Sequence, residues 1–295
     1  MKFVKGKHPN IVVVGSASID LVLETDKIPV ANDTLLVSHS KSFVGGKGAN
    51  QAIATSRLGA HVYFVGCVGV DPFGQQVLRN LTEEGINVGF VRETYEPTGN
   101  AYVTTSESGN AIVVIPGANS KLSPKYISDA EKFIINADLV LTQLEIPIES
   151  IVFLSELCKK HGKKLGIYAA PAAELPQEVI DYASFIVVKN QGLKTIFGDQ
   201  PAENVMKSLP NKLFLRDDVN STSYFDGTEM KYFRDIPDVT INKMGMGDAF
   251  TSGFSVAYLH GNDIEDCVKL GNKIAKCVAS ELDSQKGLPY LKDLI

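Results

Sequence analysis

The stretch Ile11-Val12-Val13-Val14-Gly15-Ser16 carries most of the information about the fold. Four consecutive β-branched residues without polar alternation are typical of a strand that is buried on both faces. Similar short apolar runs recur along the chain, and segments of helical periodicity lie between them. This alternation predicts an α/β fold in which a parallel sheet carries helices on both faces.

The predicted strands of this sheet are residues 11–14, 62–68, 139–144, 164–168, 185–188 and 212–215, and the predicted helices are residues 50–58, 75–84, 150–161, 247–260 and 264–282. Two other stretches, around residues 21–44 and 98–115, alternate apolar and polar residues, which predicts antiparallel strands with one solvated face. Such a strand pair has little stability alone, so we expect a small sheet that covers an active site. The predicted division is a main domain of residues 1–19, 45–97 and 117–295 with a β-sheet lid of residues 20–44 and 98–116.

Composition excludes several classes of function. The formal net charge of −5 and the lack of a basic cluster argue against a nucleic-acid partner. Four scattered cysteines and five scattered histidines predict reduced thiols and no protein-held metal site. No apolar run has the length of a membrane span, and residues 11–14 are too short for a signal-peptide core. We therefore expect a cytoplasmic protein that does not bind membranes.

The first motif with chemical content is Gly45-Gly46-Lys47-Gly48-Ala49-Asn50-Gln51-Ala52, which leads from a strand into a helix. Closely spaced glycines let backbone N–H groups approach a ligand, and Lys47 and Asn50 add donors suited to sugar hydroxyls. For a glycine-rich loop taken alone, a tight turn into a helix without any ligand is the preferred explanation.

The second motif, Gly245-Met246-Gly247-Asp248-Ala249-Phe250, opens a long helix. Free N–H groups and the helix dipole at such an end favour a phosphoryl group. An aspartate there can accept the proton of an attacking hydroxyl. The alternative is that Asp248 only caps the helix.

These two motifs in this order, together with Gly15-Ser16-Ala17-Ser18-Ile19-Asp20, resemble those of the PfkB carbohydrate kinases, and most closely those of its ribokinase-like members. The resemblance extends to residues 66–74, 116–119, 143–147 and 171–176. It implies a Rossmann-like domain with a β-sheet lid that often makes a dimer contact. It also implies transfer of the γ-phosphoryl group of MgATP to a hydroxymethyl group of a sugar, so that the expected ligands are a sugar, ATP and Mg²⁺.

The resemblance further implies a role for individual residues. The sugar would be held by Asp20, Gly46, Lys47, Asn50 and Glu145, beside Ser18 where relatives carry asparagine, and covered by Ala101 and Val103 of the lid. Asp248 would be the catalytic base, with N–H groups of Gly245, Met246, Gly247 and Asp248 as the anion hole. Asn272 would line the adenine pocket. Simpler alternatives are a turn cap for Asp20, a solvated acid for Glu145 and a polar helix residue for Asn272.

Departures from the family pattern lie on the nucleotide side. Where relatives have Asn-x-x-Glu, which organises magnesium-bound water, this chain has Asn190-Gln191-Gly192-Leu193, and leucine accepts no hydrogen bond. The nucleotide loop matches Leu215-Arg216-Asp217-Asp218-Val219-Asn220, in which Leu215, Asp217 and Asn220 are expected to face the nucleotide. Asn242-Lys243 replaces the Asp-Thr that helps to bind a monovalent cation, which argues against activation by potassium.

Two classes of function remain open on the sequence. The leading hypothesis is an ATP-dependent kinase that phosphorylates a ribose-like sugar, with a nucleoside kinase as its variant. The rival is a non-catalytic sugar-binding protein with a degraded nucleotide site, which Leu193, Asp217 and Asp218 favour. The retained Asp248 favours the enzyme.

Overall fold

The computed structural model describes residues 2–37, 39–106, 109–237, 240, 243–281 and 283–294. The strands in these ranges are β1 (Asn10–Val14), β2 (Ser18–Glu24), β3 (Ser40–Gly45), β4 (His61–Gly69), β5 (Asn87–Thr94), β6 (Gly99–Ser106), β7 (Gly109–Ile115), β8 (Leu139–Gln143), β9 (Leu165–Tyr168), β10 (Phe185–Lys189), β11 (Leu213–Arg216), β12 (Ser221–Phe225) and β13 (Met230–Arg234).

The α-helices are α1 (Lys47–Arg57), α2 (Pro72–Glu83), α3 (Pro124–Asp129), α4 (Glu131–Ile134), α5 (Ile148–Lys160), α6 (Gln177–Tyr182), α7 (Leu193–Phe197), α8 (Ala202–Ser208), α9 (Met246–Leu259) and α10 (Ile264–Ala279). None of these described helices combines the length and apolarity that a membrane span requires.

The larger of the two described sheets has the strand order β13-β12-β11-β10-β9-β8-β1-β4-β5. Its strands from β11 to β5 are parallel, and β12 and β13 add an antiparallel edge. Strand β1 lies inside it, where Val13 pairs with Phe64 on one side and Leu141 on the other. The predicted α/β fold is confirmed.

Helices cover both faces of this sheet. Because successive side chains of a strand point to opposite faces, Ile11 and Val13 belong to one apolar cluster and Val12 and Val14 to another. Helices α1, α2, α9 and α10 contribute to the first cluster, and α3 to α8 contribute to the second. This double burial explains the unbroken apolar character of the parallel strands.

The smaller sheet has the order β3-β2-β6-β7. The pairs β2–β3 and β6–β7 are antiparallel, and the two pairs are joined by a parallel contact between β2 and β6. Its inner face carries Val22, Ala101 and Val103. Strand β2 begins directly after β1, and β3 ends directly before α1, so this sheet is attached at the carboxyl edge of the main sheet. Residues 107 and 108, in the second of the two alternating stretches, lie outside the described residues.

Candidate active site

A cavity of about 1180 Å³, here called the main cavity, lies between the carboxyl edge of the main sheet and the inner face of the small sheet. The carboxyl ends of parallel strands meet at one edge, so loops far apart in sequence converge there. Most of the residues predicted to hold the sugar or to act in catalysis line it, namely Ser18, Asp20, Gly46, Lys47, Asn50, Ala101, Val103, Glu145, Gly245, Gly247 and Asp248.

Lys47 and Glu145 form the polar floor of this cavity. Lys47 Nζ lies 3.4 Å from Glu145 Oε1, and the Glu145 Oε2 atom accepts hydrogen bonds from Ser16 Oγ (2.6 Å) and Lys47 N (3.1 Å). Burial alone would lower the pKa of Lys47, but Glu145 and Asp248 together raise it above its usual range. Glu145 is thus a fixed, partly buried carboxylate, not a solvated loop acid.

Asp20 lies in the interior of β2, so it does not cap a turn. Ser18 Oγ donates a 3.2 Å hydrogen bond to its Oδ1 atom. Burial raises the pKa of Asp20 to about 6, with a smaller contribution from the charge of Glu145. Asn50 is buried in the first turn of α1, where its Oδ1 atom accepts a 3.0 Å hydrogen bond from Gln285 Nε2.

Asp248 lies in the first turn of α9 and is 3% exposed. The residue before the helix is Gly245, and no side chain caps the helix start. Asp248 Oδ1 instead accepts a 3.0 Å hydrogen bond from Gln51 Nε2. Burial raises the pKa of Asp248 to about 6, and Glu145 acts in the same direction, whereas Lys47 and the amides of Gln51 and Asn50 oppose the rise. A carboxylate with this pKa is ionised at neutral pH and still basic enough to take a proton.

The turn before α9 requires glycine at two positions. Gly245 has a φ of 75°, which an L-residue with a side chain rarely adopts. A Cβ atom at Gly247 would stand 2.0 Å from the Tyr168 hydroxyl, so the hydroxyl lies directly against the backbone there. The N–H groups of the first turn of a helix have no partner within the helix. The start of α9 can therefore bind an anion through these N–H groups.

A second, smaller space beside this turn, here called the side cavity, is lined by Tyr168, Lys189, Arg216, Asp217, Asp218, Lys243, Met246 and Gly247. It holds the predicted anion-hole residue Met246. Of the residues predicted to face the nucleotide, it contains Asp217. Asn190 is exposed and lines neither cavity, whereas its neighbour Gln191 lines the main cavity.

Three residues predicted to face the nucleotide differ from that expectation. Leu215 is packed in the second apolar cluster. Asn220, which is fully buried, donates from Nδ2 to the carbonyls of Asp235 (2.6 Å) and Asn272 (3.0 Å). Asn272 Oδ1 accepts a 2.8 Å hydrogen bond from Thr222 Oγ1. These side chains form internal contacts of the fold and do not line either cavity.

The two acids of the nucleotide loop differ in their surroundings. Asp217 Oδ1 closes the loop by accepting hydrogen bonds from the N–H groups of Val219 (3.0 Å) and Ser221 (2.7 Å). Asp218 lines both cavities, and its Oδ2 atom accepts a 2.7 Å hydrogen bond from Gln191 Nε2. Asp217 thus shapes the turn of the loop, whereas Asp218 reaches the main cavity as well.

Arg216 is the buried cation of this loop. Its guanidinium donates to Met246 O (3.0 Å) and to Asn220 Oδ1, and lies 4.4 Å from the centroid of the Phe250 ring. Burial lowers the pKa of Arg216 to about 10, which leaves it charged at neutral pH. These contacts fasten the loop to the start of α9, a function that the sequence does not reveal.

The residues that the structure describes do not fit a magnesium ion held by the protein. Leu193, at the position of the family's acid, is 7% exposed and packed in the second apolar cluster. Among the described residues, no group of three His, Cys, Asp or Glu side chains is placed to hold a metal. Asn242, predicted to bear on the monovalent cation, lies outside the described residues.

Tyr168, Lys189 and Gln51 line or support the site without having been predicted. Tyr168 and Lys189 end neighbouring strands β9 and β10, and burial raises the pKa of Tyr168 to about 12. Gln51 lies in α1, where its Oε1 atom accepts a 2.7 Å hydrogen bond from Gln143 Nε2. The strand ends were a usable signal for the first two, because ligands of parallel sheets bind there.

Comparison with known proteins adds independent information. Residues 8–290 match the family described as pfkB family carbohydrate kinase. The chain is 34% identical to a ribokinase of Bacillus subtilis over 281 residues, which cover 95% of this chain and 96% of that protein, and 32% identical to a ribokinase of Lactococcus lactis over 286 residues, which cover 96% and 94%. The structure of Arabidopsis thaliana ribokinase complexed with ribose and ATP superposes with a TM-score of 0.84 at 26% identity and covers 98% of each chain. A cavity built from these residues and a match along almost the whole length lead to one conclusion: the chain belongs to the PfkB family and is a carbohydrate kinase.

Proposed function

We propose that this carbohydrate kinase transfers the γ-phosphoryl group of ATP to the hydroxymethyl group of ribose or a closely related sugar. The single observation that carries the proposal is the position of Asp248. Its buried carboxylate faces the main cavity from the first turn of α9, beside N–H groups that have no partner within the helix. The ribokinase relatives, and the ribose and ATP bound to the Arabidopsis protein, support the choice of substrates.

The sugar would occupy the end of the main cavity that Asp20, Lys47, Asn50 and Glu145 surround. Carboxylates, an ammonium and an amide together offer acceptors and donors to several hydroxyl groups. A site built to bond a hydroxyl discriminates strongly against the analogue that lacks it, because its polar groups are then left unpaired. We therefore propose selectivity for a polyhydroxylated sugar over its deoxy analogues.

Asp248 would take the proton of the hydroxymethyl group as that oxygen attacks the γ-phosphorus atom. The phosphoryl group would then lie at the start of α9, where the N–H groups of Gly245 to Asp248 and the helix dipole stabilise negative charge. The bond between the γ-phosphorus atom and the bridging oxygen breaks, and that oxygen leaves with ADP. The proton is held at Asp248 until the product departs.

A magnesium ion, if used, would be carried by the phosphates of the nucleotide and by water, since Mg²⁺ keeps several of its waters and binds substrate phosphates in kinase sites. The side chains that the structure describes do not form a site for it. The surroundings of Asp248 are those of a base, and the ribokinase relatives of the chain favour the enzyme over the non-catalytic alternative.

We also propose that residues 20–44 and 98–116 act as a lid. Ala101 and Val103 face the main cavity from β6, and Ile112 and Val114 face it from β7. Strand β7 is an edge strand whose residues Ile112 to Ile115 are each about half exposed or more, so a homodimer through this edge is part of the proposal. Dependence on ATP fits a cytoplasmic location.

The test is a substrate panel. Initial rates of ADP formation are measured with ribose, 2-deoxyribose, other pentoses and hexoses, and adenosine as acceptors. We expect the highest kcat/KM with ribose, and we expect Asp20→Asn to lower it by about a hundredfold. The matched control is Asp26→Asn, which changes an exposed acid just beyond β2. Preference for a nucleoside, or full activity of Asp20→Asn, would contradict the proposal.

A further inference from the structure

Lys189 ends β10 at the carboxyl edge of the main sheet, where it pairs with Arg216 of the parallel strand β11. Paired residues of adjacent strands point to the same face of a sheet. The preceding pair on this face, Val187 and Phe214, packs in the apolar cluster that contains α9, and the Phe214 ring lies 4.6 Å from that of Phe254. The two cations therefore lie side by side at the amino end of α9.

The two cations differ in their contacts. Arg216 donates to Met246 O and Asn220 Oδ1, and so is used by the fold itself. Within the part of the chain that the structure describes, Lys189 Nζ makes no hydrogen bond and no ion pair closer than 4.0 Å. The charge of Lys189 is partly compensated by the longer-range attraction of Asp218 and, more weakly, by that of Asp248.

Lys189 is nevertheless shielded from bulk solvent. It is partly buried and lines both the main cavity and the side cavity. Burial lowers the pKa of Lys189, and the nearby charges of Lys47 and Arg216 act in the same direction. A partly buried ammonium without a hydrogen-bond partner is costly unless a ligand supplies one.

The residues that line the side cavity favour an anion beside the start of α9, because the cations Lys189, Arg216 and Lys243 outnumber the acids Asp217 and Asp218 there. The side cavity contains Lys189, Met246 and Gly247 but none of the residues that surround the sugar end. A helix start and an ammonium that face the same space favour a phosphoryl group.

We propose that Lys189 binds the β- and γ-phosphoryl groups of the nucleoside triphosphate and holds the γ-phosphoryl group against the start of α9. This inference rests on the proposed function, since it concerns the donor of the same reaction. It assigns to Lys189 part of the positive charge that the phosphates require at a site where Leu193 leaves no carboxylate for metal-bound water.

The experiment compares wild type, Lys189→Met and Lys189→Arg by calorimetry with ATP, ADP and AMP, and by steady-state kinetics at saturating ribose. We expect Lys189→Met to weaken ATP binding by about ten- to a hundredfold, as expected for the loss of one partner of a desolvated charge pair, with AMP affected less than threefold. Lys189→Arg should keep most of the ATP affinity. Ribose affinity should stay within a factor of two in every variant.

Lys194→Met is the matched control, because Lys194 lies five residues further on, is 74% exposed and pairs with Asp199 at 3.3 Å. ATP affinity of Lys189→Met within twofold of wild type would overturn the inference, as would an equal loss for AMP and ATP. If Lys189→Met does not fold, Lys189→Gln replaces it, and the same contrast between ATP and AMP applies. A wild-type protein that binds ATP but phosphorylates no sugar would contradict the proposed function and leave the calorimetric test of Lys189 intact.

Discussion

Gln51 Nε2 donates a 3.0 Å hydrogen bond to Asp248 Oδ1, and this contact joins α1 to the first turn of α9 across 197 residues of sequence. The orientation of the Gln51 amide is fixed, because its Oε1 atom accepts a 2.7 Å hydrogen bond from Gln143 Nε2 at the end of β8. The base thus has a dedicated donor that stabilises its ionised form.

Replacing Gln51 should change the basicity of Asp248 more than its position. Gln51→Leu removes the donor, so the pKa of Asp248 should rise further, and the acid limb of kcat/KM should move to higher pH by about half a unit to one unit. The rate on the plateau at high pH should change less. A pH profile of each protein tests this. An unshifted limb would mean that the hydrogen bond only supports the fold.

The wild-type pH profile should itself show two acids. Burial raises the pKa of Asp20 and of Asp248 to about 6, and both act as carboxylates in the proposal. Activity is therefore lost as pH falls through 6, and the logarithm of kcat/KM for ribose should approach a slope of two below that pH. In Asp20→Asn the limiting slope should be one. A profile that stays flat down to pH 5 would contradict both assignments.

Asp248 should also cost the fold some stability. Its pKa is raised from 3.8 to about 6 in the folded protein, so the folded state binds the proton more readily than the unfolded state between these values. The contribution of Asp248 to the free energy of unfolding therefore falls as pH rises across that window, by about 1.4 kcal/mol per pH unit, and stays low at higher pH. Asp248→Asn should gain about 1–3 kcal/mol at pH 7.5 and much less at pH 4. Urea denaturation at both pH values measures this, and equal changes at both would count against it.

The exposed edge of the small sheet gives a prediction about assembly. Val113 is 65% exposed in the edge strand β7, between Ile112 and Val114, which are each 49% exposed. Val113→Lys should shift the protein from dimer to monomer in sedimentation experiments, because a charge on an edge strand opposes pairing. Ile135→Lys, at an exposed apolar residue after α4, is the control. Unchanged sedimentation of Val113→Lys, with a dimeric wild type, would exclude this edge as the interface.

The parallel strands were predictable because burial on both faces leaves an unmistakable apolar run, as in β1 and β8. Strand β5 was missed, since Asn87–Thr94 contains exposed and charged residues at the sheet edge, where one side of the strand meets solvent. The antiparallel strands β12 and β13 were missed for a related reason. Neither contains an unbroken buried apolar run, since β12 alternates buried and partly buried residues and every described residue of β13 is partly or fully exposed. In the small sheet the alternating pattern indicated strands but not the parallel contact between β2 and β6.

The candidate site shows the same contrast. Glycine-rich motifs located Asp248 and Lys47, because the chemistry of such residues is written in a local pattern. The resemblance placed Asn220 and Asn272 at the nucleotide, but both side chains are used inside the fold. Asn220 Nδ2 donates to the Asn272 carbonyl, and Asn272 Oδ1 accepts from Thr222. Lys189 belongs to no motif, and only the register of β10 against β11 brings it to the start of α9.

The most direct test is to monitor phosphoryl transfer by phosphorus NMR, with purified protein, ribose and ATP. Wild type should convert ATP to ADP with the appearance of one sugar phosphate for each ADP. Asp248→Asn should slow this conversion by about 10²–10⁴ while binding ribose with an affinity within a few-fold of wild type in calorimetry. Transfer by Asp248→Asn at the wild-type rate, or ribose binding by wild type without any transfer, would contradict the central claim.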